Sequence, residues 1–220
     1  MSACCSGTSA TIEGKFNARL ARRDLLQYRK RGPAATTSLL RDGVTAAGGP
    51  GDTLLDIGAG VGALTFELLE RGARKTVSVD ASAAYVAAGR EEAARRNRAA
   101  QAEWHHGDFV TLADSLAAAD TVTLDRVVCC YPQVEPLVLQ AASHARRRIA
   151  LSYPRDVWFV RLAIAVQNAI RAAKGEAFRT FLHPPITIEQ LIRGRGFALS
   201  VRRTTWTWCA DVYLRNSDPP

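Results

Sequence analysis

Cysteine is sparse in this chain, and its spacing lacks the pattern of a disulfide framework or a zinc site. Five cysteines occur among 220 residues, and four of them form the adjacent pairs Cys4-Cys5 and Cys129-Cys130. No C-x-x-C pair is present, and neighbouring cysteines seldom close an unstrained disulfide. We therefore predict free thiols, no bound metal ion and a reducing, cytoplasmic location.

Long uninterrupted apolar segments are also missing from the sequence. The most apolar stretch, residues 157–170, is interrupted by Arg161 and is shorter than a membrane span. The first ten residues are small and polar, without the basic-then-apolar order of a signal peptide. The sequence therefore predicts a protein with neither a membrane span nor a cleaved leader.

Acidic residues are fewer than basic ones, 21 against 29, which gives a formal net charge of +8. A clustered excess of this kind would indicate an anionic partner such as a nucleic acid. Here the basic groups are short and scattered, at residues 22–23, 29–31, 146–148 and 202–203. This distribution favours a compositional bias over a nucleic-acid surface, and we expect a small-molecule substrate.

The sequence does contain enough apolar material for one core, and it alternates strand and helix signals regularly. Its 220 residues are 47% hydrophobic, which fits a single domain. The strands are predicted at 53–57, 76–79, 102–105, 121–124 and 148–152, and the helices between them at 63–70, 83–98, 110–117 and 134–145. Such alternation predicts an α/β fold with a parallel sheet covered by helices on both faces.

The flanking segments follow different patterns. Two helices, at 12–31 and 35–46, precede a glycine-rich break at 48–51. After the core come helices at 156–174 and 188–193, then strands near 198–203 and 206–214 that are close enough to pair as a hairpin. We therefore divide one domain, 1–220, into an N-terminal helical cap (1–47), a cofactor-binding core (50–155), a helical lid (156–196) and a terminal β-hairpin (197–215).

A glycine-rich turn follows the first predicted strand, in the segment Asp56-Ile57-Gly58-Ala59-Gly60-Val61-Gly62. Gly58 and Gly60 let the backbone bend sharply and a ligand approach closely, and the next helix start offers unpaired N–H groups. The loose Gly-x-Gly-x-x-Ala pattern also fits nicotinamide dinucleotides. Asp56 would repel a pyrophosphate, whereas it could interact, directly or through water, with the cationic amino-acid end of S-adenosylmethionine.

Acidic residues also end the next two predicted strands. Asp80, followed by Ala81, lies about 20 residues after the turn, where it could accept both ribose hydroxyls of either cofactor. Asp108 follows the third strand and could accept the adenine amino group, with Phe109 flanking the ring. Acids at three successive strand ends favour S-adenosylmethionine over a nicotinamide cofactor.

Together, residues 56–62, Asp80, Gly107-Asp108 and the segment 119–125 resemble the successive motifs of class I S-adenosylmethionine-dependent methyltransferases, over roughly residues 50–155. The resemblance implies a doubly wound, Rossmann-like sheet of seven strands, mostly parallel with an antiparallel last strand. It implies a cofactor at the carboxyl ends of the first strands, with backbone near Leu124 and Asp125 holding its amino group. The implied activity is methyl transfer to a small molecule by in-line displacement.

A looser similarity connects the whole chain with the magnesium-protoporphyrin O-methyltransferase branch. The shared features are a basic N-terminal helix pair, an H-Y-P segment after strand four and a helical insertion after strand five. In this chain the segment reads Cys130-Tyr131-Pro132, so the branch's histidine is replaced by a cysteine. The replacement removes that branch's proposed acid/base group, and porphyrin esterification remains an alternative rather than the expected function.

Two residues are candidates for catalytic groups by position. Tyr28 lies on an N-terminal helix that in this family folds over the cofactor, and His183 lies in a loop that the family places at the pocket mouth. A neutral imidazole there could accept a proton from the acceptor. The alternatives are a half-buried aromatic residue packed on an amphipathic helix and a surface histidine.

Four further residues are candidates for substrate contacts. Cys130 and Tyr131 follow strand four beside the expected methyl donor, and Tyr153 and Arg155 follow strand five. Arg155 could bind an acceptor carboxylate in a bidentate manner or form a local ion pair with Asp156. The apolar helix that follows predicts a lid over the substrate, a homodimer contact or ordinary core packing.

Three other functions remain open at this point. Nucleic-acid amino-methylation predicts a polar-Pro-Pro-aromatic tetrad after strand four, which residues 129–132 do not form. A non-catalytic protein that binds the cofactor would keep the same acids. Thiol-based metalloid methylation would use the pairs Cys4-Cys5 and Cys129-Cys130.

Overall fold

Seven strands form one sheet in the computed structural model, which describes residues 11–216. Their order across the sheet is β3-β2-β1-β4-β5-β7-β6. Neighbouring strands are parallel from β3 to β5, and β7 runs antiparallel to both β5 and β6. This topology confirms the predicted doubly wound sheet with an antiparallel last strand. The strands are β1 (Thr53–Ile57), β2 (Lys75–Asp80), β3 (Ala102–His106), β4 (Ala119–Asp125), β5 (Ala145–Pro154), β6 (Phe197–Thr204) and β7 (Trp208–Arg215).

Eight α-helices follow residue 16 in the described part of the chain, and most begin and end within a few residues of the predicted bounds. They are α1 (Ala18–Arg31), α2 (Ala35–Ala46), α3 (Ala63–Leu69), α4 (Ala83–Arg95), α5 (Phe109–Leu112), α6 (Val134–His144), α7 (Trp158–Ala173) and α8 (Pro185–Arg193). Residues 11–15 are also helical.

The prediction differs from the structure at two helices. The helix expected at 12–31 is interrupted at Phe16, because the Asn17 side chain accepts a hydrogen bond from the Leu20 amide and caps a new helix, α1. The helix expected at 110–117 is only the four-residue α5 followed by a 3₁₀ turn, Ala113–Ser115. Asp108 caps the start of α5 in the same way, by accepting the Val110 amide.

Helices cover both faces of the sheet because successive strand residues point to opposite sides. On one face, Leu40 of α2 and Leu68 of α3 pack with Leu54, Ala150 and Val212 of the strands. On the other face, a larger cluster joins α6 and α8 to the alternate strand positions, including Leu124, Ile149 and Leu151 on the strands and Leu137 and Ile188 on the helices. Neither face of the central strands is left to solvent.

The carboxyl ends of β1, β2, β3 and β4 meet at one edge of the sheet, because these strands are parallel. Two segments close over this edge. The segment before α1 contacts the region after α7 through an ion pair between Lys15 Nζ and Glu176 Oε2, 2.8 Å apart, and through the edge-on rings of Phe16 and Phe178, 5.6 Å between centroids. Within residues 11–216, no helix has both the length and the apolar character needed to cross a membrane.

Candidate active site

Hydrogen bonds connect the glycine turn after β1 to the end of β2. The amides of Gly58 and Ala59 donate to the Val79 carbonyl, at 2.7 and 3.2 Å, and the Gly60 amide donates to Asp80 Oδ2 at 2.8 Å. Gly58 has a φ of +64°, and a Cβ there would lie 2.5 Å from Cγ2 of Val127. Only glycine therefore fits this position without displacing the segment after β4.

Asp80 is held from both sides by backbone amides. Its second oxygen, Oδ1, accepts a hydrogen bond from the Ser82 amide at 2.8 Å. Burial raises the pKa of Asp80, and the amides of Ser82 and Gly60 oppose that rise by stabilising the carboxylate. Each oxygen keeps a further lone pair, so an oriented carboxylate can accept hydroxyl groups from a ligand in the cavity that Asp80 and Ala81 line.

Asp108, Phe109 and Tyr131 meet at the carboxyl end of β3. Asp108 Oδ1 accepts the Val110 amide at 2.9 Å, and its Oδ2 accepts the Tyr131 hydroxyl at 2.9 Å. Phe109 is buried at the cavity wall, edge-on to the ring of His144. The structure therefore brings these three predicted site residues together around one cavity.

Asp125 and Arg126 form the cavity wall at the end of β4. The Asp125 carboxylate accepts the hydroxyls of Ser152 and Thr37, each at 2.5 Å. Arg126 has a φ of +60°, which is uncommon for a non-glycine residue, and its amide donates to Ser152 Oγ. Strained backbone is therefore found at the cavity, as it often is at functional sites. The Leu124 side chain, by contrast, lies fully inside the core.

The two thiols after β4 line the same cavity. Their sulfur atoms are 3.9 Å apart, and both lie within hydrogen-bonding distance of the Arg126 carbonyl. The neighbouring Cys130 thiol and burial raise the pKa of Cys129. Cys130 thus lies where the sequence predicts it, while Cys4-Cys5 falls outside the described residues.

The cavity that these residues share has a volume of about 660 Å³. One end is formed by the glycine turn and by Asp80 and Asp108. The other end lies under α7 and is lined mainly by its apolar side chains: Phe159, Val160, Ala163 and Ile164. The cavity therefore has a polar half and an apolar half that are continuous with each other.

The structure contradicts a direct contact between Asp56 and the cofactor, while an interaction through water stays a prediction. The Asp56 carboxylate is 1% exposed and does not line the cavity. It accepts the hydroxyls of Thr65 and Thr123, each at 2.7 Å, and so connects α3 and β4 behind the glycine turn. Burial raises the pKa of Asp56 to about 6, although both hydroxyls favour its charged form.

Neither predicted catalytic residue lines the cavity. Tyr28 is buried between α1 and α3, with its hydroxyl 3.5 Å from the Ala63 carbonyl and the Arg96 guanidinium over its ring. His183 Nε2 lies 2.9 Å from the Tyr131 carbonyl oxygen, which requires a proton on that nitrogen. Tyr28 therefore packs between helices and His183 fixes a loop, so the prediction that they are catalytic residues is wrong.

The two substrate contacts predicted after β5 are corrected as well. The Tyr153 hydroxyl donates to Asp211 at 2.6 Å inside the sheet–helix core. The Arg155 guanidinium donates to the Thr205 carbonyl at 3.1 Å and so fixes the turn between β6 and β7. Asp156 forms its ion pair with Arg161 instead of Arg155. Tyr153 and Arg155 therefore bind other residues of the fold, and neither is free to contact a substrate as predicted.

Sequence reasoning missed several cavity residues that lie outside the core motifs. Asp24, the only acidic residue of α1, lines the cavity and accepts the Tyr85 hydroxyl at 2.6 Å. Arg171, near the end of α7, lines the apolar half. A lone acid among the basic residues of α1 was an available signal for Asp24, whereas nothing local distinguishes Arg171.

A metal site was not expected, and that expectation stays a prediction. Over residues 11–216, no group of three or more His, Cys, Asp or Glu side chains is placed to hold a metal ion. His105 Nε2 lies 2.8 Å from Glu103 Oε1, and His106 Nε2 lies 3.5 Å from Glu13 Oε1.

This sheet order, with a glycine turn after β1 and acids after β2 and β3, defines the class I methyltransferase fold. Residues 54–149 match the family model described as a methyltransferase domain. The chain thus has the class I methyltransferase fold; S-adenosylmethionine is the cofactor of the proteins of that class. A search of curated proteins gives no significant match.

Solved structures share the fold over most of the chain. Magnesium protoporphyrin IX methyltransferase from Synechocystis PCC 6803 with bound S-adenosylmethionine is 20% identical, covers 95% of this chain and 97% of that one, and has a TM-score of 0.71. An O-methyltransferase family protein from Burkholderia thailandensis is 17% identical, covers 94% of this chain and 63% of that one, and has a TM-score of 0.72. Identities this low show a common fold.

The residues present fit the cofactor of this class. Gly58 and Gly60 have positive φ angles and no side chains, so the space beside the turn stays open. Asp80 offers an oriented carboxylate at the spacing from the glycine turn that is typical of an acid binding a ribose. Asp108 and Phe109 supply an acceptor and an aromatic wall for an adenine ring. A polar cleft next to an apolar chamber suits a cofactor beside an acceptor.

Proposed function

We propose that this protein transfers the methyl group of S-adenosylmethionine to a small-molecule acceptor. The observation that carries the proposal is the single cavity that joins the glycine turn, Asp80 and Asp108 to the apolar inner face of α7. Methyl transfer requires donor and acceptor in one space, aligned for in-line displacement and shielded from water. The continuous cavity provides the one space that both molecules need.

In this proposal, the chain's residues hold the cofactor in three places. Asp80 accepts the ribose hydroxyls, fixed by the amides of Gly60 and Ser82. Asp108 accepts the adenine amino group while the Tyr131 hydroxyl holds its other oxygen. The backbone at Gly58 and around Asp125 faces the amino-acid end, and the cofactor supplies the activated methyl group.

In this proposal, the apolar half of the cavity mainly positions the acceptor and excludes water from it. Phe159, Val160 and Ile164 of α7 provide an apolar wall, and Phe16 and Phe178 close the cavity from the other side. Cys130 and Tyr131 also line the cavity, and they are the side chains that we propose to contact the acceptor. We therefore attribute rate acceleration chiefly to alignment of donor and acceptor.

A tetrapyrrole carboxylic acid is a second candidate acceptor. It is favoured by the likeness to the Synechocystis magnesium protoporphyrin IX methyltransferase, which extends over the N-terminal helices and α7 as well as the core. Cys130 weighs against it, because it replaces the histidine that the porphyrin branch carries in the corresponding segment. We therefore place a smaller apolar acceptor first.

The proposal is tested by following the methyl group. The protein is incubated with tritium-labelled S-adenosylmethionine and an extract of the organism that encodes it, and the products are separated into ultrafiltrate, protein and nucleic acid. We expect label in the ultrafiltrate, and its loss with Asp80→Ala. Label in nucleic acid or protein, or no transfer by a protein that binds the cofactor, would contradict the proposal.

A further inference from the structure

Arg171 is the one cationic side chain that α7 contributes to the cavity wall. Its guanidinium lies over the ring of Phe178, 5.0 Å from the centroid, and one of its nitrogens donates to Thr180 Oγ1 at 2.8 Å. A cation–π contact and a hydrogen bond together fix a flexible side chain in one orientation. Arg171 is therefore held in place at the apolar half.

No carboxylate within residues 11–216 forms an ion pair with Arg171. Nearby basic residues do have such partners: Lys15 pairs with Glu176 and Arg161 pairs with Asp156. The acids that line the cavity are hydrogen-bonded elsewhere, Asp24 to the Tyr85 hydroxyl and Asp108 to that of Tyr131. Arg171 is thus held in position and half-buried without an ion pair. The pKa of Glu176 is lowered by its hydrogen bond with Lys15 and, to a smaller extent, by the charge of Arg171.

A guanidinium in this setting has a specific chemical complement. Its planar fork of N–H donors matches a carboxylate, and the pair is strongest where water is partly excluded. Thr180 occupies one nitrogen, which leaves the remaining donors for a ligand. The apolar side chains that the same helix contributes to the cavity, Phe159, Ala163 and Ile164, match a hydrocarbon or aromatic frame.

We propose that Arg171 binds a carboxylate on the methyl acceptor, and that the acceptor is an apolar small molecule bearing such a group. This inference rests on the proposed function, because it assigns the apolar half of the cavity to the acceptor. Arg171 acts here as a specificity-determining residue: it anchors the acceptor against the wall formed by α7. Its role is distinct from holding the cofactor, which the glycine turn, Asp80 and Asp108 perform.

Two fluorescent probes with the same frame test this inference. The protein is saturated with S-adenosylhomocysteine and titrated with 1-pyrenebutanoic acid, which carries a carboxylate, and with 1-pyrenebutanol, which does not. Arg171→Gln is expected to weaken binding of the acid by about tenfold or more, as for loss of a charge-assisted hydrogen bond, and to leave the alcohol within about twofold. Arg171→Lys should recover part of the affinity for the acid.

Arg161→Gln is the matched control, since it removes the same charge from the same helix at a position outside the cavity. It should leave both probes unchanged, which separates specific binding from general attraction to a protein of net charge +8. Equal weakening of both probes by Arg171→Gln, or no weakening of the acid, would overturn the inference while the proposed function stands. Binding of neither probe to the unmodified protein would count against both.

Discussion

The Tyr131 hydroxyl donates a hydrogen bond to Asp108 Oδ2 across 2.9 Å, and so connects the segment after β4 to the end of β3. The other Asp108 oxygen accepts the Val110 amide. The carboxylate is therefore oriented by two donors from different elements before any ligand arrives. Preorganisation of this kind reduces the ordering cost of binding.

Tyr131→Phe removes that hydroxyl and keeps the ring. We expect the affinity for S-adenosylhomocysteine to fall about fivefold, which corresponds to about 1 kcal/mol for one lost hydrogen bond. Calorimetric titration of both proteins measures the change. An unchanged dissociation constant would show that Tyr131 does not orient Asp108 for the cofactor.

Gly58→Ala combines an unfavourable φ with a steric conflict. The φ of +64° costs an alanine roughly 1–2 kcal/mol, and the new Cβ would lie 2.5 Å from Val127 Cγ2. Gly49→Ala is the matched control, because Gly49 has a φ of +81° and no atom within 4 Å of the new Cβ.

Chemical denaturation should show a greater loss of stability for Gly58→Ala than for Gly49→Ala, by about 1–3 kcal/mol from overpacking. Cofactor affinity should fall at least tenfold for Gly58→Ala alone, because the displaced segment after β4 lines the cavity. Equal losses for the two variants would contradict the steric argument.

Asp56 predicts a dependence of stability on pH. Its pKa is about 6 in the folded protein, against about 3.9 for an unfolded aspartate. A raised carboxyl pKa means that the folded state favours the protonated form. The stability that protonated Asp56 contributes to the fold is therefore present at low pH and is lost as the pH rises from about 4 to about 6. The loss amounts to about 3 kcal/mol for a shift of about two units.

Asp56→Asn removes this titration while preserving the shape of the side chain. The difference in unfolding free energy, Asp56→Asn minus the unmodified protein, should grow between about pH 4 and pH 6 and then remain level. Cofactor affinity should stay within about threefold, because Asp56 lies behind the turn. A pH-independent difference would refute the assignment of a raised pKa, and loss of cofactor binding would support the interaction, direct or through water, that the sequence predicts.

The core of the fold was predictable because its signals are local and periodic. The strand at 53–57 and the helix at 35–46 have the predicted bounds, since a short apolar run and glycine breaks mark them. Asp80, Asp108 and Phe109 lie at the cavity for a similarly local reason, because parallel strands bring their carboxyl ends to one edge.

Side-chain direction and long-range partners were not predictable from sequence. Asp56 adjoins the glycine turn in sequence, yet strand alternation turns its carboxylate toward Thr65 and Thr123. The hydrogen bond of Tyr153 was not predictable either, because its partner, Asp211, lies 58 residues away. Arg171 belongs to the cavity only because α7 returns over the sheet edge, which no local pattern specifies.

Helix α7 should be the least protected long helix in hydrogen exchange. Val160 is the only buried residue among its sixteen, so few tertiary contacts oppose local opening. Its amides should exchange well before those of α6, whose apolar face is buried. Mass spectrometry after short deuterium pulses checks this order, and slow exchange throughout α7 would show that it packs more firmly than its burial indicates.

The most direct test of the account is a calorimetric titration with S-adenosylhomocysteine of the protein, of Asp80→Ala and of Asp114→Ala, an exposed acid outside the cavity. We predict micromolar binding that Asp80→Ala weakens by about 1–3 kcal/mol through lost charge-assisted hydrogen bonds and that Asp114→Ala leaves unchanged. No binding, equal binding by all three proteins, or tighter binding of a nicotinamide cofactor would contradict the assignment of this cavity.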